Sequence, residues 1–368
     1  MAEARKRIGI LTGGGDCPGL NALIRAVTKT AIVQYGYDVI GFEDGYQGLV
    51  EDKAVSLSYE SVSGILATGG TILGASNKAN PFQFWRKKES GEYYWTDETD
   101  AVRKVYSKYD LDGLVCVGGD GTMTIALGLS KIGLDVVGIP KTIDNDVYGT
   151  DQAFGFDTAV NIVTGAIDKI HTTAMSHHRA MVIEVMGRNA GWLALTAGVA
   201  GGGDIILIPE IEYDMDVVCK KVIERSRRGK RFTIIVVAEG AKPKGGKPVI
   251  ERIVKDSPDP IRLGGVGREL AEQIENRCGI ESRVTILGHL QRGGAPSSYD
   301  RVLGTLFGKK AVDLVAKGDF GEMVCLRDGK IQSVGIAVPA GKQGRVPLDH
   351  PLVEAARSVG AVFGDEAE

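Results

Sequence analysis

The sequence has 368 residues, which at about 100 to 200 residues per domain predicts two domains, each large enough to form its own core. Lysine and arginine number 44 against 47 aspartates and glutamates, so the net charge of −3 argues against partners such as nucleic acid or an anionic membrane. No run of about 18 apolar residues offers a membrane span. The 5 cysteines are scattered without metal-site spacing, and we expect a cytoplasmic protein with reduced thiols.

Short β-branched runs alternate with helical patterns from the first residues onward. The predicted strands are Arg7–Thr12, Asp38–Phe42, Gly113–Val117, Asp135–Ile139, Ala180–Val185, Asp204–Ile208, Phe232–Ala238 and Arg283–Leu287. Apolar residues three and four apart predict amphipathic helices over 20–31 and 160–170. This alternation is typical of parallel strands with helical crossovers. It predicts an α/β fold of two doubly wound, mostly parallel, Rossmann-like domains.

The composition changes at TIDNDVYGTD (142–151), between two predicted strand–helix blocks. We place one domain boundary near residue 150 and a second near residue 290. The first domain would comprise residues 1–150 and about 291–340, and the second residues 151–290 and about 341–368.

Two glycine-rich turns each follow a predicted strand and precede a helix. The first, TGGGDCPG (12–19), fits either a phosphate cradle or a tight structural turn. In the second, GGDGT (118–122), Asp120 lies at the carboxyl end of a strand, where doubly wound folds bind ligands. A carboxylate there can hold Mg²⁺ beside phosphate oxygens, and a helix cap is the alternative.

A third segment, GIPKTIDND (138–146), also follows an apolar strand. Asp144 and Asp146 are two residues apart, so on an extended backbone they point the same way. Clustered carboxylates raise each other's pKa, which suits one as a base and the other near a metal. Lys141 and Thr142 add donors for phosphate, while an acidic turn is the plainer interpretation.

Six segments in this order resemble one enzyme family. They are TGGGDCPGLN (12–21), GGDGT (118–122), PKTIDND (140–146), MGRNAGW (186–192), IPE (208–210) and GHLQRGG (288–294). GGDGT alone also occurs in lipid and NAD kinases, but the whole set resembles the 6-phosphofructokinases. The resemblance implies transfer of a phosphoryl group to the 1-hydroxyl of fructose 6-phosphate. The donor would lie on the first domain and the sugar phosphate mainly on the second, with the active site in the cleft between them.

The same resemblance implies catalytic and donor-binding residues. Asp144 would be the base, Asp146 its electrostatic partner, Thr142 a phosphate contact, Arg188 the cation on the transferring group, and Asp120 the Mg²⁺ ligand. The residues implied to border the donor are Gly14, Lys78, Gly119, Asp120, Gly121, Thr122 and Lys141. Either Lys78 or Asn77 stands where bacterial members of the family have an arginine.

For the sugar phosphate, the resemblance implies a site shared between two chains. His289 and Arg292 would contact the 6-phosphate, Glu210 would accept from sugar hydroxyls, and Met186 and Gly187 would lie beside them, together with Thr142, Asp144, Asp146 and Arg188. Arg179 and Arg283 match arginines that the family supplies from a neighbouring subunit. A homodimer or homotetramer is implied.

The phosphoryl donor follows from one position of GGDGT. Gly121 favours ATP, because an aspartate there would repel a nucleotide α-phosphate, whereas Lys141 is a residue that diphosphate users carry. Members of the family that use ATP and carry both residues also exist, so we expect ATP, with diphosphate as the alternative. A lipid or dinucleotide kinase, and a sugar-phosphate sensor without activity, are the competing interpretations. The first leaves the arginines of the sugar site unused, and the second has no need of a positioned base.

Overall fold

The computed structural model describes residues 5–229, 232–253 and 261–365. The strands are β1 (Arg7–Thr12), β2 (Asp38–Phe42), β3 (Ala54–Leu57), β4 (Phe84–Lys87), β5 (Tyr93–Thr96), β6 (Gly113–Gly118), β7 (Val136–Thr142), β8 (Phe154–Gly155), β9 (Ala180–Val185), β10 (Ile205–Leu207), β11 (Thr233–Ala238), β12 (Ile250–Ile253), β13 (Ile261–Leu263), β14 (Ser282–Ile286), β15 (Glu322–Arg327) and β16 (Lys330–Gly335). The α-helices are α1 (Leu20–Thr30), α2 (Tyr46–Glu51), α3 (Thr99–Lys108), α4 (Asp120–Lys131), α5 (Phe156–His177), α6 (Trp192–Ala200), α7 (Met215–Arg227), α8 (Val266–Cys278), α9 (Ser298–Lys317) and α10 (Pro351–Ser358).

The first sheet has the strand order β16-β15-β7-β6-β1-β2-β3, with β8 paired to β7. Strands β2, β1, β6, β7 and β15 run parallel, and β3 and β16 close the two edges in antiparallel pairs. The residues of β6 and β7 are all buried, as expected for parallel strands covered on both faces. The carboxyl ends of β1, β6 and β7 therefore open at one edge of this sheet.

The second sheet has the order β10-β11-β9-β14, and all its pairs are parallel. Helices α5 and α6 pack on one face, and α7 and α8 cover the other. The larger core cluster is continuous between the sheets, because it joins Ile8 of β1 and Phe307 of α9 to Ile183 of β9 and Ile206 of β10. The loops after β9, β11 and β14 lie at the carboxyl edge of this second sheet.

The predicted α/β class and all the predicted strands are confirmed, with end shifts of one to three residues. Helices α1 and α5 cover both predicted helical stripes. The sequence did not reveal the antiparallel strands β3 and β16, nor the hairpins β4–β5 and β12–β13. The domain boundaries stay a prediction, and their terminal residues 1–4 and 366–368 lie outside the described part of the chain. Within that part, no helix has the length and apolar character needed to cross a membrane.

Candidate active site

The loops from the two sheets meet through a direct hydrogen bond. Arg292, which follows β14, donates from Nη1 to the backbone oxygen of Asp16 in the turn after β1, at 3.0 Å. The turn after β1 must pass close to this guanidinium, because a Cβ on Gly15 would lie 2.9 Å from Arg292 Nη1. The carboxyl edges of the two sheets therefore face one another.

The acidic loop after β7 is organised by Thr142. Its hydroxyl donates to Asp146 Oδ1 at 3.0 Å and accepts from the backbone N–H of Asp144, also at 3.0 Å. Asp144 and Asp146 are only 5% and 7% exposed. The Asn145 backbone between them is left-handed, with φ of 53°, so the segment is a turn rather than the extended strand that the sequence spacing assumed.

Asp144 is a buried carboxylate with one oxygen unused. Its Oδ1 has no hydrogen-bond partner. Burial raises the pKa of Asp144, while the charges of Arg292, Arg188 and Lys141 oppose that rise. A polar atom left without a partner in such a place costs free energy unless a ligand meets it. Oδ1 is thus poised to accept from a bound hydroxyl.

Asp146 and Asp120 complete an acidic group. Burial, followed by the negative charges of Asp144 and Asp120, raises the pKa of Asp146 to about 7. Asp120 is the first residue of α4, where the partial positive charge of the helix N-terminus favours an anion. The charge of Asp144 thus raises the pKa of Asp146, as the sequence spacing predicted for this pair, and the charge of Asp120 adds to the rise.

Lys141 reaches into the first glycine turn. Its ammonium group donates to the backbone oxygen of Gly15, and a Cβ on Gly14 would lie 3.4 Å from Nζ. The residue is only 4% exposed, and burial lowers the pKa of its ammonium group. Lys141 therefore places a cation beneath the turn that the sequence predicts for phosphate.

Thr122, the last residue of the GGDGT turn, packs closely against the glycines at positions 118 and 13. A Cβ on Gly118 would lie 2.1 Å from Thr122 Oγ1, and one on Gly13 would lie 2.7 Å from the same atom. Gly121, by contrast, is exposed, and no atom lies within 4 Å of its would-be Cβ. Gly119 is almost as open, since its nearest neighbour is Lys141 O at 3.9 Å. The outer side of this turn is free for a ligand.

A cavity of about 400 Å³ opens between the first glycine turn and the segment after β3. It is lined by Gly14, Gly15, Asp16, Thr71, Ala75 and Asn77. Asn77 contributes to the wall, and Lys78 follows it as an exposed residue whose backbone N–H donates to Ser76 Oγ at 3.3 Å. Both residues that the sequence offers in place of an arginine therefore lie at or next to this cavity.

The loop after β9 is tied to the turn after β14. The Met186 N–H donates to Gln291 Oε1 at 3.2 Å, which sets the loop against the short 3₁₀ turn Gly288–Arg292. Gly187 has φ of 136°, and a Cβ there would lie 2.6 Å from Ala190 O, so only glycine fits. His289 is exposed on the 3₁₀ turn. Met186, Gly187, His289 and Arg292 are thus brought together.

Glu239, which the sequence analysis did not select, belongs to the same place. It follows β11 directly and accepts the backbone N–H of Arg188 at 3.1 Å. Burial, followed by the charge of Asp144, raises the pKa of Glu239 to about 7. The available signal was its position one residue beyond a predicted apolar strand, at the edge where the other loops converge.

Glu210 is bound to the loop that carries Arg188, whereas two of the predicted arginines lie elsewhere in the chain. The carboxylate of Glu210 accepts from the backbone N–H of Gly191 at 3.0 Å and of Val346 at 2.9 Å. Arg179 precedes β9 and Arg283 lies near the start of β14, and both pair with Glu281. Met186 follows β9 at the opposite end of that strand, about 20 Å from Arg179 as judged from the rise per residue of a β-strand. Within one chain, Arg179 and Arg283 therefore lie far from the other predicted site residues.

Comparison with known proteins agrees with these features. A family model described as Phosphofructokinase matches residues 7–315. The chain belongs to the phosphofructokinase family. Its relatives include a Clostridium perfringens protein named ATP-dependent 6-phosphofructokinase 2, 52% identical over 99% of this chain and 100% of that one. A Spirochaeta thermophila protein named ATP-dependent 6-phosphofructokinase is 50% identical over 98% of each. An Amycolatopsis mediterranei protein named pyrophosphate–fructose 6-phosphate 1-phosphotransferase is 48% identical over 93% of this chain and 97% of that one.

Solved structures of the phosphofructokinase family share the fold. Pichia pastoris phosphofructokinase in the T-state has a TM-score of 0.78 and 33% identity over 92% of this chain, which spans 35% of that longer chain. A pyrophosphate-dependent phosphofructokinase from Marinobacter aquaeolei has a TM-score of 0.79 over 97% of this chain and 88% of that one, and at 20% identity it shows the fold alone.

Proposed function

We propose that this chain transfers the γ-phosphoryl group of ATP to the 1-hydroxyl of fructose 6-phosphate, giving fructose 1,6-bisphosphate and ADP. The observation that carries the proposal is Asp144, a buried carboxylate with an unused oxygen that lies under the charges of Arg188, Arg292 and Lys141. A base and cations in one place are what phosphoryl transfer to an alcohol requires.

In this proposal, Asp144 accepts the proton of the 1-hydroxyl while that oxygen bonds to the γ-phosphorus. The bond from phosphorus to the β,γ-bridging oxygen breaks, and ADP leaves with the electron pair. Arg188 stabilises the charge that spreads over the transferring oxygens, for which a planar guanidinium is suited. Thr142 contacts the phosphoryl group and orients the acidic loop through its bonds to Asp146 and to the Asp144 N–H.

A bound Mg²⁺ would neutralise charge on the donor phosphates. Asp120 would hold it, with Asp146 nearby, and the negative charges of Asp120 and Asp144 beside Asp146 suit a cation. The described residues contain no group of three or more His, Cys, Asp or Glu side chains arranged for a metal. Mg²⁺ bound together with a nucleotide needs only one or two carboxylates, because phosphates and water supply the other ligands.

For the sugar phosphate, we propose that His289 and Arg292 hold the 6-phosphate. Glu210 would accept from sugar hydroxyls, and Glu239, which holds the backbone N–H of Arg188, would be a second carboxylate beside them. Arg179 and Arg283 would serve the site of a second copy of the chain, so the active form would be a homo-oligomer. In each copy the reactants would lie between a donor domain and a sugar-phosphate domain. ATP and sugar phosphates are solutes of the cytoplasm, where we expect the enzyme to act.

The donor is tested by comparing ATP and diphosphate with the purified protein. We expect fructose 6-phosphate phosphorylation with ATP to exceed that with diphosphate by at least about 10-fold in kcat/KM, a preference of about 1.4 kcal/mol. Gly121→Asp should reverse the preference, because the new carboxylate repels a nucleotide α-phosphate and the position has open space for it. Activity with neither donor would refute the function, and equal activity with both would refute ATP as the specific donor.

A further inference from the structure

Residues 341–346 form a strap across the candidate site. The chain leaves the first sheet at the end of β16 and reaches α10, which packs against α6 beside the second sheet. Between these elements it crosses the loops that carry the acidic residues and Arg188. No motif of the sequence points to this segment, and the proposed chemistry does not use it.

One residue of the strap bridges the two sides through its backbone. The N–H of Gly344 donates to Asp146 O at 2.7 Å, and the Gly344 carbonyl accepts from Trp192 Nε1 at 3.1 Å. Asp146 belongs to the acidic loop of the first sheet, whereas Trp192 begins α6 four residues after Arg188. The acidic loop and the arginine loop are thus joined through a single residue.

Other residues of the strap make similar connections to the candidate site. Gln343 forms an isolated antiparallel bridge with Val147 beside the acidic loop, and its Oε1 accepts from Asn189 Nδ2 at 3.4 Å, next to Arg188. At one end of the strap, Gly341 N–H donates to Thr124 Oγ1 at 3.0 Å. That hydroxyl donates to Asp120 O at 2.9 Å in the first turn of α4.

At its other end the strap reaches the second sheet. Val346 N–H donates to Glu210 Oε1 at 2.9 Å, and the same carboxylate accepts the N–H of Gly191 in the arginine loop. Glu210 therefore fixes the strap to this loop. Between its ends the strap contacts the start of the donor helix, the acidic loop and the arginine loop.

We propose that the strap couples the donor site to the sugar site, with Trp192 and Gln343 as positioning residues. A shift of the arginine loop on sugar binding would move Gly344 and, through it, Asp146 and the start of α4. Binding of one substrate would then pre-order the other side of the site, and the coupling must be reciprocal. This inference rests on the proposed function, since it needs both substrates.

The coupling is measured by titration calorimetry on the full chain with Mg²⁺. A non-hydrolysable ATP analogue is titrated with and without saturating fructose 6-phosphate. We expect the sugar to tighten analogue binding at least about 5-fold in the wild type. In Trp192→Phe, which keeps an aromatic ring but loses the donor to Gly344, this ratio should fall towards one, while each ligand alone binds within about two-fold of wild type.

Trp95→Phe is the matched control, because it makes the same change on an exposed tryptophan of the hairpin β4–β5. It should keep the wild-type ratio. Gln343→Ala, at a partly exposed position, carries the same test if Trp192→Phe fails to fold. In the variants, kcat with both substrates saturating should also fall by about 10-fold or more, as for misplaced reacting groups.

Two results would overturn the strap proposal. One is a wild-type protein in which the sugar leaves analogue binding unchanged. The other is a variant that loses thermal stability but keeps the full coupling ratio, which would make the strap a purely structural connection. A protein that binds no fructose 6-phosphate at all would instead refute the proposed function, so the two failures are distinguishable.

Discussion

Glu239 and Asp144 are buried carboxyl groups, and ionising either of them in the folded protein costs free energy. Burial raises the pKa of Glu239 to about 7, against 4.5 for an accessible glutamate, and the charge of Asp144 adds to the rise. Because the folded pKa exceeds the unfolded one, the folded state binds this proton more tightly. The contribution of Glu239 to stability is therefore fully present below about pH 4.5 and is lost as the pH rises to about 7.

The direction of this pH dependence predicts that Glu239→Gln stabilises the protein at high pH. The amide stays neutral and can still accept from the Arg188 N–H, so the variant escapes the cost of an ionised buried carboxylate. We expect its unfolding free energy to exceed that of the wild type by up to about 3 kcal/mol at pH 8, and by little at pH 4.5. Urea unfolding without substrates at the two pH values measures the difference.

Glu60→Gln provides the control, since Glu60 is exposed. It should change stability by less than about 0.5 kcal/mol at either pH. A Glu239→Gln protein that is less stable than the wild type at pH 8 would show that Glu239 stabilises the fold as an anion.

The turn GGDGT requires glycine at some positions for packing and leaves others free for a ligand. Gly118 ends β6 directly above Thr122, whereas Gly121 faces open space in the first turn of α4. Gly118→Ala should lower the unfolding free energy by about 1 to 3 kcal/mol through overpacking. Gly121→Ala should raise it by about 0.5 to 1 kcal/mol, because alanine suits a helix better than glycine does.

Urea denaturation midpoints of the two alanine variants test this pair, and each variant is the control for the other. Equal stabilities would mean that the turn rearranges to accept a methyl group at Gly118. The open space at Gly121 would then not distinguish this position from Gly118.

The elements that the sequence predicted have local signals. Apolar runs such as GLVCV and VVGIP predict buried parallel strands, and glycine clusters after them predict the loops at their carboxyl ends. The edge strands β3 and β16 are short or alternate in exposure, and their pairing depends on distant residues. A sequence pattern does not contain that pairing, so these strands were missed.

The same difference separates the predicted site residues from the missed ones. Asp144, Asp120 and Arg292 lie in motifs with a recognisable order. Glu239 is a single acidic residue after a strand, and only the approach of the Arg188 backbone reveals its place. The strap acts largely through the backbone of Gly344, and backbone groups carry no sequence signal.

The placement of Arg179 and Arg283 bears on how copies of the chain assemble. Arg179 and Arg283 lie at the amino end of the second sheet, about a strand's length, or roughly 20 Å, from Met186 at its carboxyl end. Both are held at the surface by Glu281. If the sugar phosphate binds near Arg292, as proposed, these two cations would have to come from another copy of the chain to reach it.

Complementation between two impaired variants tests this arrangement. Asp144→Asn should lower kcat by about 100- to 10,000-fold, the range for loss of a general base, and Arg179→Ala should raise KM for fructose 6-phosphate by at least about 10-fold. When the two variants are unfolded, mixed in equal amounts and refolded, half of the pairs would combine one chain of each kind. Each such pair has one site with an intact Asp144 from one chain and an intact Arg179 from the other. If sites are shared, activity at low fructose 6-phosphate should recover to about one quarter of the wild-type value. If Arg179 acts within its own chain, the mixture should show only the average of the two variants.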